Sequence, residues 1–190
     1  GTSGFSVPVA TDNVFFDLNS FSVGSQTVQI YASGTYIGGA CNDIDFTGVT
    51  NSPIVKFYNT GYIGSLQIHG NAIFDSTVHF DCNNFNDGGI VFYSENTTNH
   101  ITSNGIDFTD IDINFSSQLS TNTGNNIFEI EDSFIAGDET TISYCIFNSN
   151  DNDLDLRGKY YGGFGVVDAI ANLGSSIVLF SGTLLVQDRV

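Results

Sequence analysis

Apolar residues recur in pairs separated by one position, and the pairs return about every eleven or twelve residues, the spacing expected of a chain wound into stacked coils. The pairs are Ile44/Phe46, Val55/Phe57, Leu66/Ile68, Val78/Phe80, Ile90/Phe92, Ile106/Phe108, Ile111/Ile113, Phe128/Ile130, Ile142/Tyr144 and Leu154/Leu156. Residues two apart on a strand face the same side, so each pair predicts a short strand with both members turned inward. Between the pairs lie clusters of Asn, Asp, Gly and Ser: Gly48 to Ser52, Asn59 to Gly64, Asn83 to Gly89, Glu95 to Asn104, Ser117 to Asn126 and Asn148 to Asp153. These are turn residues, and their variable lengths suit a solenoid whose corners tolerate outward loops. The longest, Glu95 to Asn104 and Ser117 to Asn126, are expected on the outside.

The pattern predicts an all-β fold, a parallel β-helix. An antiparallel β-sandwich is the alternative, because it also shows short strands punctuated by turns. Hairpin signals are scarce, the obvious ones being Asp87-Gly88 and Asn104-Gly105. One structural domain is expected: residues 1–40 as an N-terminal cap and first coil, 41–156 as coils, and 157–190 as a C-terminal cap. Val14 to Leu18 and Val28 to Tyr31 read as strands, broken by Gly24 and by Gly34, Gly38 and Gly39. Val166, Val167, Ile170 and Leu173 have the spacing of a short amphipathic helix, which Gly174 would terminate. Ile177 to Phe180 and Leu184 to Val186 are expected to form a differently packed strand pair that closes the open end of the solenoid.

Composition narrows the class. The chain has 190 residues, 41% of them hydrophobic, and 17 are Phe, enough for a sizeable core. The chain has no Met and opens Gly1-Thr2-Ser3-Gly4, a cloning remnant or processed end, which leads us to expect a piece of a longer protein. No apolar run approaches the roughly 18 residues of a membrane span, so a soluble chain without membrane insertion is expected. Four cationic residues against 21 acidic ones give a net charge of −17, which repels nucleic-acid phosphates and anionic lipid. Cys41, Cys82 and Cys145 are too few for a disulfide framework and lack zinc spacing. Buried free thiols are expected, with Cys82 pointing inward and Cys145 at a bend.

The unit Thr141-Ile142-Ser143-Tyr144-Cys145-Ile146-Phe147-Asn148-Ser149-Asn150, followed by Asp153-Leu154-Asp155-Leu156-Arg157-Gly158-Lys159-Tyr160-Tyr161-Gly162-Gly163, resembles the closing coils of a known family. These are the right-handed parallel β-helix domains of large secreted adhesin-like proteins, especially those of methanogenic archaea. That family commonly ends its helix with Asn-Tyr-Tyr-Gly or Asn-Trp-Trp-Gly; here Lys159 takes the Asn position and Gly163 replaces the usual polar residue. The resemblance is loose over Cys41 to Val186 and best over Thr141 to Gly163. It implies an extracellular or cell-surface module with an adhesive or scaffolding role, whose partners would be surface carbohydrate, protein or neighbouring domains. It implies no catalytic residue.

The β-helix also carries polysaccharide lyases and hydrolases, so enzyme chemistry is the alternative. A Ca²⁺-assisted uronate lyase would need Arg or Lys as base beside carboxylates that hold the cation. Arg157 and Lys159 alternate on one side of a strand near Asp151, Asp153 and Asp155; Lys56 is the remaining candidate base. A solvated charge ladder explains the same pattern and is the preferred reading. Inverting hydrolysis would draw on Asp43/Asp45, Asp107/Asp110/Asp112 or Asp153/Asp155, but no Gly-His-Gly or Asp-Asp element accompanies them. His69 and His79 alternate with apolar residues and should point outward, His100 should lie in a loop, and exposed polar positions need no metal to explain them.

Asn150 to Asp155 has calcium-loop composition without the Gly and closing Glu of an EF-hand. No cofactor is expected beyond weakly held calcium at Asp151, Asp153 and Asp155. Asn96-Thr97-Thr98 is a credible glycosylation sequon in a predicted loop; Asn114-Phe115-Ser116 falls within a strand and is a chance match. Tyr58, Tyr93, Tyr160 and Tyr161 are the candidate binding residues, with Tyr62 beside them, since a tyrosine ring stacks on a sugar while nearby Asn and Asp bond its hydroxyls. Core or corner packing is the competing explanation for these tyrosines.

Overall fold

The computed structural model describes residues 7–31, 37–58, 64–82, 88–95, 97–117, 125–137, 139–156, 163–167, 169–180 and 183–187. Its strands come in successive triplets. The first triplet is β1 (Val14–Phe15), β2 (Thr27–Tyr31) and β3 (Ile37–Cys41); the second is β4 (Ile44–Asp45), β5 (Ile54–Tyr58) and β6 (Gly64–Ile68). The third is β7 (Ala72–Ile73), β8 (His79–Cys82) and β9 (Gly88–Ser94); the fourth is β10 (Thr98–Thr102), β11 (Asp107–Phe108) and β12 (Asp112–Ser117). Then follow β13 (Ile127–Ile130), β14 (Phe134–Ala136) and β15 (Thr140–Ser143), and β16 (Ile146–Asn148), β17 (Leu154–Leu156) and β18 (Gly163–Val167). The last triplet is β19 (Ile170–Asn172), β20 (Val178–Phe180) and β21 (Thr183–Gln187).

Strands pair with those three earlier and three later, except that β8 and β11 are not paired, and the ladders among the described residues are parallel. This is a β-solenoid with three faces, not a sandwich. The first face is a seven-stranded sheet from β1 to β19, and the third is a seven-stranded sheet from β3 to β21. The second face is divided into a sheet of β2, β5 and β8 and another of β11, β14, β17 and β20. Parallel stacking puts chemically similar inward residues above one another, as in Leu66↔Ile90, Ile68↔Phe92 and Phe92↔Phe115.

The core is a continuous column of phenylalanine. Ring centroids lie 4.7 Å apart for Phe16 and Phe46, 6.1 Å for Phe46 and Phe74, and 5.1 Å for Phe74 and Phe108. The column continues from Phe108 to Phe134 at 5.2 Å, and Phe115 joins Phe134 at 6.0 Å and Phe147 at 5.0 Å. Rings at these separations gain offset or edge contact beyond simple burial. Phe80 reaches Phe108 at 5.5 Å and so carries the packing across the division in the second face.

Side-chain carboxylates and amides hold the corners. Asp45 Oδ1 accepts from the Thr47 amide at 2.7 Å and Asp75 Oδ1 from the Thr77 amide at 3.0 Å. Asp132 reaches the next-lower coil, accepting from the Ser103 amide at 2.7 Å and the Asn104 amide at 2.6 Å. Asn104 and Gly105 both have positive φ, 49° and 75°. The Asn-Gly signal therefore makes a solenoid corner and no hairpin.

Several expectations are corrected. The helix predicted over Val166 to Leu173 is absent: β18 pairs β15 and β19 pairs β16 along this stretch. Val166, Val167 and Ile170 are β-branched, and a waiting sheet edge outweighs a helical spacing. Residues 177–187 likewise continue the stack, β20 on β17 and β21 on β18, and form no separate strand pair. Gly38 and Gly39 lie inside β3 at a register shift, so they bulge the strand without ending it.

Glu95 to Asn104 is not an outer loop. It contains β10, with Asn99 and Ile101 buried. Tyr144 does not point inward; it turns a corner at φ 55°, half-buried, and Cys145 takes the interior place. Phe80 is only partly buried. Cys41 and Cys145 are free and buried, and burial pushes each thiol up to about 12. The Cys82 side chain and residues 118–124 of the second predicted loop lie outside the described residues.

Candidate functional site

On the third face, strands β6, β9 and β12 lie side by side in register, with Ser65↔Gly89↔Asp112 and Gln67↔Val91↔Asn114 forming two outward rows. Their alternation follows from the inward set Leu66, Ile68, Ile90, Phe92, Ile113 and Phe115, all buried. The outward residues enclose a hollow of about 290 Å³ walled by Tyr93 and lined by Gln67, Asp112 and Asn114. Gly89 forms part of its floor. A Cβ there would collide with the Asp112 carbonyl oxygen, so only glycine lets β9 and β12 approach this closely.

Tyr93 is held in place from two sides. Its ring stacks on His69 with centroids 5.2 Å apart and planes 29° from parallel. Beneath it, buried Asn99 donates from Nδ2 to the Tyr93 carbonyl at 2.7 Å and to the His69 carbonyl at 3.1 Å, while Thr97 Oγ1 donates to Asn99 Oδ1 at 2.9 Å. Burial raises the Tyr93 phenol above its ordinary range and keeps it neutral. Burial also lowers His69, with Glu95 opposing, so the ring beside Tyr93 favours its uncharged form.

The hollow is thus lined by one neutral phenol ring, that of Tyr93, backed by the His69 ring, together with two amides and a carboxylate. Asn114 Oδ1 is buried and has no hydrogen-bond partner among the described residues. An aromatic plane next to fixed amide and carboxylate groups is suited to a polyol with an apolar face.

Of the tyrosines singled out from the sequence, Tyr93 is in this hollow. Tyr58 is half-buried on the second face beside Gln29 and Lys56, so the two tyrosines do not share a surface. Tyr62, Tyr160, Tyr161, Arg157, Lys159 and Asn96 lie outside the described residues. Lys56 donates to Asp81 at 2.7 Å, and that hydrogen bond raises its pKa, which opposes a role as base.

Two of the three carboxylates proposed for calcium accept backbone amides. Asp151 Oδ1 accepts from the Ser175 amide at 2.7 Å, and Asp153 Oδ1 from the Ile177 amide at 2.9 Å. Asp155 lies on β17, between Ile135 and Leu179 in register. His79 is exposed on β8 of the second face, and His100 is on strand β10 of the first face where a loop was expected.

Asn99 does not stand out in the sequence. Its signal was the alternation of Asn99 with Ile101, hidden because the surrounding polar residues read as a loop. Comparison with protein-family models, with curated proteins and with solved structures returns no match.

Proposed function

We propose that this chain is a noncatalytic, extracellular module of an adhesin-like surface protein, and that the Tyr93 hollow is its saccharide-binding face. The observation that supports this reading is the Tyr93 ring set at a fixed position beside Gln67, Asp112 and Asn114 on a continuous sheet. Binding residues built on paired strands are better ordered than residues on loops, so little conformational freedom is lost when a ligand docks. The resemblance of the coils around Thr141 to Gly163 to adhesin-like β-helices agrees with a surface role. A net charge of −17 favours neutral sugars over uronates.

The test is titration of neutral and acidic oligosaccharides into the protein. We expect binding of a neutral sugar, weakened about tenfold by Tyr93→Ala, in line with the loss of one ring contact. Tyr58→Ala should leave it unchanged. Binding of no sugar in the panel, or affinity indifferent to Tyr93→Ala, would overturn the assignment.

A further inference from the structure

The first face carries a second cluster that the saccharide reading does not use. His100 on β10 stands directly beside Glu129 on β13 in the parallel register, and Glu131, two residues on, projects from the same side. His100 Nδ1 lies 2.5 Å from Glu131 Oε1 and 3.5 Å from Glu129 Oε2, and ligand atoms from all three residues fall within 4.8 Å of one another.

The backbone sets this convergence. His100 donates its amide to Asn71 Oδ1 at 2.8 Å, and the Glu131 amide donates to the Ile101 carbonyl at 2.9 Å. The three side chains are therefore brought together by ladder geometry, with each still reaching solvent.

The electrostatics of the cluster are incomplete. One imidazole Nδ1 carries at most one proton and can hydrogen-bond one carboxylate at a time, yet two carboxylates face it. A dication would serve both carboxylates and the nitrogen together. We propose that His100, Glu129 and Glu131 form a binding site for a divalent transition cation of the zinc class.

The donor set fits that chemistry. Zinc accepts imidazole nitrogen at about 2.0–2.1 Å and carboxylate oxygen at about 2.0–2.2 Å, usually four-coordinate, so three protein ligands leave one position open to solvent. Calcium, which takes about 6–8 oxygen ligands, is poorly matched by one nitrogen and two carboxylates. Coordination uses the Nδ1 lone pair, so metal binding replaces the present contact between His100 Nδ1 and Glu131 Oε1.

Calorimetric titration of Zn²⁺ into chelator-treated protein tests the site. The expected result is one saturable equivalent, weakened at least tenfold in each of His100→Ala, Glu129→Gln and Glu131→Gln, and unchanged in His79→Ala. The three ligand side chains face outward, so their replacement leaves the core intact, and unaltered circular dichroism of each variant is the accompanying measurement. Uptake without saturation, wild-type affinity in any of the three ligand variants, or Ca²⁺ binding as tightly as Zn²⁺ at the same residues would overturn the proposal. Because the hollow at Tyr93 is on another face, failure here leaves the saccharide reading standing, and the reverse also holds.

Discussion

Phe108 contacts Phe74, Phe80 and Phe134 and is fully buried, whereas its neighbour Asp107 is exposed and accepts from the Thr109 amide at 2.8 Å. Phe108→Ala removes a ring from the middle of the column and should cost about 3–5 kcal/mol. Asp107→Ala gives up the turn hydrogen bonds from the Thr109 amide and hydroxyl and, being exposed, should cost only about 0.5–1.5 kcal/mol. Comparison of thermal midpoints checks this, and equal losses would mean that the faces of β11 are misassigned. His69 makes a different prediction, through pH. Its folded-state pKa lies below the ordinary 6.5, so the unfolded chain takes up the proton first. This stabilising contribution is complete above the ordinary value and is lost as pH falls through it towards the lowered folded one. The difference in thermal midpoint between wild type and His69→Gln should therefore shift against the wild type on acidification from about pH 8 to pH 5; a constant difference would contradict the half-buried, neutral ring.

At the scale of strands, alternation was legible wherever both members of an apolar pair were large, as in β5, β9 and β13. It failed where one member was small or polar. In β10 the inward residues are Asn99 and Ile101, and in β7 the inward Ala72 precedes Phe74, so neither stretch announced a strand. Val166 to Leu173 failed in the opposite way, because four apolar residues satisfied a helical spacing while their partners lay in β15 and β16, distant in sequence. Asn99 shows what such a hidden strand contributes. Asn99→Ala would leave the Tyr93 and His69 carbonyls without this donor and should cost about 1–3 kcal/mol. It should also weaken saccharide binding while Tyr93 itself is intact. Unchanged stability and unchanged binding would together show that β10 does not support the hollow.

Across the whole molecule, the parallel solenoid could be read from the period, but the sites could not. Residues that meet in space are separated by one coil, 31 positions for His100 and Glu131 and 30 for Asn99 and His69, compared with 24 for Ser175 and Asp151. Coil length varies because corners absorb extra residues, so no fixed offset predicts which side chains stack. That is why Tyr93 stands out in the sequence while its neighbours Gln67 and Asn114 do not, and why the sequence around His100 has loop composition and does not reveal its two glutamates. The central claim is that β6, β9 and β12 present one saccharide-binding surface, and backbone amide NMR shifts recorded during titration with a neutral oligosaccharide test it most directly. The account predicts saturable shifts at Gln67, Gly89, Val91, Tyr93 and Asn114, with the first face around His100 undisturbed. Shifts centred on the first or second face, or none on the third at saturating sugar, would contradict it.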